Sequence, residues 1–242
     1  MRILIARHAE PDYTIDSLTP KGDVEAELLS KRLKNEKIDY FYLSPLGRAQ
    51  RTASFTLPYF EGVPVETKDW LREFHVTIQR PDRDHFQDYC WDWMPEDWVN
   101  DERFYSVEHW HENEVMAAGN AKAEYDRVCN AFDGLLAEHG YERDGKMYRA
   151  VQPNHDTICI FAHFGLECVL LSHLSNISPM LLWHHFVAAP SSLTVINTEE
   201  REEGKAVFRT SSFGDTSHLY AGNEPASFAA RYCECFSDEE KH

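Results

Sequence analysis

Three segments of the sequence place arginine and histidine directly after short apolar runs. Arg7 and His8 follow the first run, Arg48 follows the second, and His163 follows a later one. Ligands of open α/β sheets bind at the carboxyl ends of strands, so we expect these side chains to meet at one sheet edge. A single histidine there would more often be structural. If the substrate is a phosphate ester, its site needs a few converging cations, and two of these four side chains are arginines.

The apolar runs that would position these residues alternate with helical patterns. Thr19 followed by Pro20 is typical of a helix start, and Ser44 followed by Pro45 repeats that signature. Strands are predicted at residues 2–6, 40–43, 63–67, 157–162, 193–196 and 206–209. Helices are predicted from residue 20, from 45 to about 59, and over 113–139 and about 165–173. Continuous apolar strands alternating with helices predict an α/β protein, a three-layer α/β/α sandwich with a mostly parallel sheet.

One segment, residues 75–112, interrupts this alternation. It contains four of the six tryptophans of the chain, four histidines and many acids. The simpler interpretation is an aromatic cluster packed on the main core. The functional interpretation is an insertion that caps the site, because long insertions in α/β enzymes often supply substrate contacts. The sequence shows no repeat or linker, so we expect a single domain over residues 1–242.

Composition limits the classes of function. The 242 residues are 43% hydrophobic, and 24 lysines and arginines face 41 acids, which gives a formal charge of −17. Such a charge argues against a nucleic-acid or anionic-membrane binder. The longest apolar runs are far below 18 residues, and the first seven residues are too short for a signal-peptide core. We expect a cytoplasmic protein with its six cysteines reduced, and a homo-oligomer is compatible with the sequence.

The motifs occur in the order found in a known family. The chain resembles the histidine phosphatase superfamily, the phosphoglycerate mutase-like proteins, closely over residues 1–74 and more loosely over about 155–175. The segments that carry the resemblance are residues 7–10 (RHAE), 18–22 (LTPKG), 44–53 (SPLGRAQRTA), 71–74 (LREF) and 162–165 (AHFG).

The resemblance implies a role for each site residue. His8 would be the nucleophile that forms a phosphohistidine, with its other ring nitrogen bonded to a main-chain carbonyl. Arg7 and Arg48 would bind phosphoryl oxygens, and His163 would complete the pocket and stabilise the transition state. Glu73 would protonate the leaving oxygen and later accept a proton from water. No metal or cofactor is implied. Two other acids near His8 are alternatives to Glu73, namely Glu10 and Asp12.

Several positions depart from the family pattern. Ala9 replaces the usual glycine after the first histidine, and Pro11 replaces a hydroxyl residue. Pro11 can donate no hydrogen bond, so one phosphate contact should be lost. Thr14 stands at the position of an asparagine and is the candidate that could still bind phosphate, with Ser17 as an alternative. Phe164 replaces a glycine, which narrows the pocket or offers a ring for stacking.

Other polar groups carry weaker signals. No spacing among them resembles a known metal site, and the structural interpretation is favoured for each. They are the pairs at residues 155–156 and 184–185, the thiols Cys233 and Cys235, the serines at residues 191–192, and His218.

The predicted function is a metal-independent phosphomonoesterase of the histidine acid phosphatase type, acting on a small-molecule phosphate ester. A phosphoglycerate mutase-like transferase is the alternative within the same chemistry. It would need extra cations to bind a carboxylate, and the 75–112 segment is acidic. A non-catalytic phosphate-binding module is the alternative from another class. It would need only the arginines, whereas this chain also retains His8 and Glu73.

Overall fold

The computed structural model describes residues 1–80, 87–93 and 95–227. The strands are β1 (Arg2–Arg7), β2 (Pro11–Asp12), β3 (Ser17–Leu18), β4 (Tyr40–Leu43), β5 (Val65–Thr67), β6 (Thr77–Gln79), β7 (Gln87–Tyr89), β8 (Tyr141–Asp144), β9 (Met147–Ala150), β10 (Thr157–Ala162), β11 (Leu193–Glu202) and β12 (Lys205–Asp215). The helices are α1 (Pro20–Leu33), α2 (Gly47–Thr56), α3 (Glu114–Ala118), α4 (Ala121–Glu138), α5 (Phe164–Ser175), α6 (Pro179–His185) and α7 (Ser217–Ala221).

The central sheet has eight strands in the order β5-β4-β10-β1-β11-β12-β9-β8. The four strands β5, β4, β10 and β1 pair in parallel, and the remaining pairs are antiparallel. Six of the eight strands therefore point the same way. This confirms the predicted α/β fold with a mostly parallel sheet. The strands β5, β4, β10 and β1 form the parallel half, and an antiparallel half extends the sheet.

The sheet is covered on both faces because the side chains of β1 alternate between them. Ile3 and Ile5 lie in the core formed with α4, α5 and α6. Leu4 and Ala6 lie in the core formed with α1 and α2. All four side chains are fully buried or nearly so, and each contributes hydrophobic free energy to folding. The two cores hold β1, and hence the residues that follow it, in a fixed position.

The 75–112 segment packs mainly as an aromatic cluster. Trp93, Trp98 and Trp110 are buried and belong to the core on the α4 and α5 side of the sheet. Trp91 is only partly buried and packs against that core. The first three tryptophans fit the simpler interpretation of the segment, and Trp91 lies close to the site described below.

Two helix predictions are wrong. Helix α2 begins at Gly47, with Leu46 as its N-cap, rather than at Ser44 and Pro45. The helix predicted over 113–139 is two helices, α3 and α4, because Asn120 adopts a left-handed conformation with φ of 54° between them. No described helix is both long and apolar enough to cross a membrane.

Candidate active site

The site lies where three neighbouring parallel strands end. Arg7, the last residue of β1, pairs with Ala162, the last residue of β10, and β10 pairs on its other side with β4. His8 and His163 therefore follow adjacent strands, and their ring centroids are 5.1 Å apart. Ser44 follows β4 at the same edge. The topology thus brings together the groups that the sequence placed after separate strands.

The His8 ring is held as a neutral imidazole with one nitrogen free to react. Its Nδ1 lies 2.8 Å from the carbonyl oxygen of Ala9, to which it can only donate. The proton is then on Nδ1, and Nε2 keeps its lone pair. Burial and then the charge of Arg7 lower the pKa of His8 well below its usual range. A neutral imidazole with an unprotonated Nε2 is what nucleophilic attack requires.

The His163 ring is oriented by Ser44. Its Nε2 lies 2.7 Å from the Ser44 hydroxyl oxygen, which also accepts the Leu46 N–H at 3.2 Å. A hydroxyl can donate one hydrogen bond while it accepts others, so Ser44 can donate its proton to Nε2, and in that tautomer the His163 proton is on Nδ1. Within the described ranges that Nδ1 is buried without a hydrogen-bond partner. In that tautomer Nδ1 is a donor available to an anion in the site.

Arg7 is fixed by a main-chain contact and an aromatic ring. Its Nη1 donates to the carbonyl oxygen of Ala188 at 2.5 Å. Its guanidinium carbon lies 5.6 Å from the centroid of the Phe164 ring. Its Nε is buried and has no partner among the residues that the structure describes. Burial lowers the pKa of Arg7, but a guanidinium stays protonated at physiological pH.

Arg48 is held by a loop that the sequence analysis did not single out. Its Nη1 donates to Asp16 at 2.6 Å, and the other oxygen of Asp16 accepts the Gly47 N–H at 2.7 Å. A Cβ at Gly47 would lie 2.0 Å from the main-chain oxygen of Asp16, so glycine is required for this approach. The guanidinium lies 5.4 Å from the Tyr13 ring centroid. Its Nε is buried and, in the described part of the chain, unpartnered.

Glu73 lies at the N-terminus of α5. Its Oε1 accepts the N–H groups of Phe74 at 2.8 Å and Leu166 at 2.9 Å. Burial raises the pKa of Glu73, while these N–H groups and Arg7 lower it by smaller amounts. The carboxyl can therefore be protonated at higher pH than an exposed glutamate. That property suits a proton donor to a leaving group.

The other sequence candidates lie outside this cluster. Thr14 is exposed, and its hydroxyl and N–H both donate to Asp12, which differs from the phosphate-facing position expected for it. The carboxylate of Glu10 accepts the hydroxyl protons of Thr19, at 2.7 Å, and Ser227. Glu10 thus contacts the start of α1, and Asp12 contacts the exposed turn between β2 and β3.

The structure adds a buried acid that the sequence analysis missed. Glu167 lies in the first turn of α5 and is fully buried, with Arg7 and Glu73 close enough to act on it electrostatically. Burial raises the pKa of Glu167 to about 7. An isolated glutamate in an apolar helical run was the available signal.

Some of the polar groups for which the sequence favoured a structural interpretation form hydrogen bonds to one another or to the main chain. Ser191 and His218 are buried and hydrogen-bonded to each other at 3.1 Å. His184 is bonded to the main chain of Met180 and Trp93. Histidine, cysteine and acidic side chains form no group of three that could hold a metal ion in residues 1–80, 87–93 and 95–227. Cys233 and Cys235 lie outside the described residues.

Solved structures of several phosphatases have similar folds. A mutant phosphoserine phosphatase from Entamoeba histolytica, in complex with phosphoserine, superposes with a TM-score of 0.59 at 18% identity, over 90% of this chain and 98% of that chain. The α-ribazole phosphatase from Shigella flexneri gives a TM-score of 0.55 at 20% identity, over 89% and 97%. A mycobacterial glucosyl-3-phosphoglycerate phosphatase gives 0.53 at 17% identity, over 88% and 98%.

Sequence comparison gives a relative and a family. A protein of Hydrogenobacter thermophilus named "Putative phosphoserine phosphatase 2" is 36% identical over 81 residues. The match spans 30% of this chain and 39% of that relative, so it covers well under half of the relative's length. The family model of the histidine phosphatase superfamily (branch 1) matches residues 3–210, from β1 into β12. Since that match spans most of its length, the chain belongs to the histidine phosphatase superfamily.

Proposed function

We propose that the protein is a phosphomonoesterase that works through a phosphohistidine on His8 and needs no metal ion. One observation carries the proposal. Three buried donors without partners in the described chain, Nε of Arg7, Nε of Arg48 and Nδ1 of His163, accompany a neutral His8. Buried unpaired donors are costly, and a phosphoryl group would satisfy them. The guanidinium groups supply the positive charge that phosphoryl transfer requires.

The first half-reaction transfers the phosphoryl group to the enzyme. Nε2 of His8 attacks phosphorus and forms a P–N bond, while the bond from phosphorus to the ester oxygen breaks. Arg7, Arg48 and His163 bind the other phosphoryl oxygens. Protonated Glu73 donates its proton to the leaving oxygen, and the alcohol departs as a neutral molecule.

The second half-reaction releases phosphate. The Glu73 carboxylate accepts a proton from water as that water attacks the phosphohistidine. The P–N bond breaks, Nε2 of His8 regains its lone pair, and Glu73 is protonated again. Orthophosphate then leaves, so the pocket returns to its starting protonation state.

Hydrolysis is favoured over the alternatives. The similar solved structures are named phosphoserine phosphatase, α-ribazole phosphatase and glucosyl-3-phosphoglycerate phosphatase, which supports phosphatase activity without specifying the substrate. A mutase must bind a substrate carboxylate, and residues 75–112 carry ten acids against three arginines. A binding module would have no need for His8 and Glu73 beside the arginines.

Trapping the intermediate tests the proposal. We expect the protein, quenched with denaturant during turnover of a ³²P-labelled phosphomonoester, to carry acid-labile label that His8→Ala abolishes. His155→Ala is the control, because His155 is exposed at the opposite end of β10. Wild-type protein that binds phosphate without turnover would favour the binding module. Conversion of 3-phosphoglycerate to its 2-isomer, faster than phosphate release, would favour the mutase.

A further inference from the structure

Aromatic rings lie against both arginines of the site. Phe164 packs on Arg7 and Tyr13 packs on Arg48, with 5.6 and 5.4 Å between guanidinium carbon and ring centroid. Tyr13 is 67% exposed, so most of its ring faces solvent. A group attached to a phosphate bound by these arginines would meet these rings as it leaves the pocket.

A third aromatic group stands beside the proposed acid. If Gly165 carried a Cβ, that atom would lie 2.8 Å from Oε1 of Glu73 and 3.0 Å from Nε1 of Trp91. The carboxyl group and the indole nitrogen therefore both lie next to Gly165. The indole N–H donates a hydrogen bond to the carbonyl oxygen of Phe74 at 3.0 Å. Trp91 therefore presents an apolar ring to its surroundings rather than a hydrogen-bond donor.

Tyr89 extends this surface towards solvent. Its ring stacks on Trp91 with centroids 4.9 Å apart and an interplanar angle of 6°. Tyr89 is 37% exposed, and the His75 ring meets it edge-on at 5.2 Å. We call Tyr13, Phe164, Trp91 and Tyr89 the aromatic rim.

The charges beside the aromatic rim oppose anionic leaving groups. The loop that carries Tyr13, residues 9–18, contains three acids and neither lysine nor arginine. Asp16 is paired with Arg48, whereas Glu10 and Asp12 form no ion pair with any residue that the structure describes. A substrate carboxylate such as that of phosphoserine would meet negative charge here, whereas an uncharged ring would not.

We propose that the aromatic rim selects phosphomonoesters whose leaving group carries an uncharged aromatic ring. The inference rests on the proposed phosphatase function. Glu73 must reach the leaving oxygen to protonate it, so the group on that oxygen lies next to Trp91. An aromatic ring there would meet the stacked pair of Trp91 and Tyr89 or the rings of Phe164 and Tyr13, of which Tyr13 and Tyr89 are the exposed ones. Each such contact should raise kcat/KM about threefold to tenfold.

Three alkyl phosphates test this selection. Benzyl and cyclohexylmethyl phosphate have alcohol leaving groups of similar acidity and size but differ in aromaticity, and phosphoserine adds charge. We expect kcat/KM for benzyl phosphate to exceed that for each of the other two by about tenfold or more. Release of phosphate from none of the three would contradict the phosphatase function itself. Equal turnover of all three would overturn only the selection.

Variants assign the selection to the rim. Tyr13→Leu and Tyr89→Leu should each lower the ratio of benzyl to cyclohexylmethyl kcat/KM about threefold to tenfold. A ratio is used because a general loss of folded enzyme cancels from it. Tyr59→Leu is the matched control, since Tyr59 is also exposed and stacked over a cation, Lys34, at 5.8 Å. An unchanged ratio in both rim variants would contradict the proposal.

Discussion

Asp16 binds the Arg48 guanidinium at 2.6 Å and the Gly47 N–H at 2.7 Å through its two carboxylate oxygens. One side chain thereby orients a phosphate-binding arginine and satisfies a donor at the start of α2. Asp16 itself has a positive φ of 45°, which the short hairpin β2–β3 imposes on it. The position of Arg48 therefore depends on a residue 32 positions earlier in the chain.

Removing the Asp16 carboxylate should impair both the orientation of Arg48 and the stability of the start of α2. We expect Asp16→Ala to lower kcat/KM about tenfold, because Arg48 loses a charge-assisted hydrogen bond. It should also lower the free energy of unfolding by about 0.5–2 kcal/mol through the lost helix cap. Asp16→Asn keeps an acceptor for Gly47 and should recover stability more than activity. Steady-state kinetics and urea unfolding measure the two effects.

Asp23 offers a matched control for this experiment. It forms an exposed ion pair with Arg51 at 2.8 Å, also between the α1 region and α2. Exposed pairs contribute little, so Asp23→Ala should leave kcat/KM unchanged. Equal losses in the Asp16 and Asp23 variants would mean that Asp16 acts only through general stability.

The pH dependence should separate His8 from Glu73. Because the pKa of His8 is lowered by burial and Arg7, the nucleophile stays neutral down to acidic pH. Because burial raises the pKa of Glu73, the acid stays protonated above the usual carboxyl range. For an alkyl phosphate, kcat/KM should fall as pH rises through the pKa of Glu73. A pH profile for alkyl and nitrophenyl phosphates measures this.

Glu73→Gln should remove the fall in kcat/KM that is expected as pH rises through the pKa of Glu73. We expect a loss of about 10²–10⁴ in rate for the alkyl ester and a much smaller loss for the nitrophenyl ester, whose leaving group needs no proton. Glu66→Gln, at an exposed acid that pairs with Lys68, is the control. Similar losses with both esters would exclude Glu73 as the acid and leave Glu10 and Asp12 as the candidates.

A buried hydrogen-bonded chain should position the nucleophile. The His218 ring bonds the Ser191 hydroxyl at 3.1 Å, and the Ser191 N–H donates to the carbonyl of His8 at 3.0 Å. Ser191 has a φ of 60°, a strained conformation that this contact helps to hold. We expect His218→Ala to lower kcat about tenfold, with KM changing less. His218→Gln, which restores a polar partner for Ser191, should recover part of the loss.

His173 provides the comparison for that prediction. It is partly buried and bonded to Asp133 at 2.8 Å, at the far end of α5 from the site. His173→Ala should destabilise the fold without changing kcat. If both alanine variants lower the melting temperature and neither changes kcat, His218 is structural only.

Local patterns in the sequence predicted the parallel strands well. The predicted strands 40–43 and 157–162 coincide with β4 and β10, because continuous apolar runs in the middle of a sheet leave few alternatives. The hairpin of β8 and β9 was missed because its strands are short and rich in polar residues. Its tertiary contacts, rather than its pattern, determine its structure.

The site was predictable where motifs follow strands and not where distant segments meet. Arg7, His8 and His163 were expected at one sheet edge because each follows a predicted strand, and the pairing of β1 with β10 brings them together. The start of α2 was misassigned because the Ser44 hydroxyl is used by His163, 119 residues later, and Asp16 supplies the cap. Trp91 lies in the 75–112 segment, where the sequence alone does not distinguish a core tryptophan from one beside the site.

The buried acid Glu25 should make the fold less stable as pH rises. It lies fully buried on α1, where Oε2 accepts the Glu10 N–H at 2.8 Å. Burial raises its pKa to about 7, and the charges of Glu10 and Glu224 add to this while Lys21 opposes it. From about pH 4 to 7 the folded state then binds more protons than the unfolded state, so the free energy of unfolding falls with rising pH.

Glu25→Gln should relieve this loss because a neutral amide can accept from Glu10 without ionising. We expect the variant to be about 1–3 kcal/mol more stable than wild type at pH 8 and nearly equal to it at pH 5. Glu27→Gln is the control, since Glu27 is exposed on the same helix and pairs with Lys31. Urea unfolding at the two pH values measures the difference. A Glu25→Gln variant less stable than wild type at pH 8 would mean that the charged carboxylate is favoured in the folded protein.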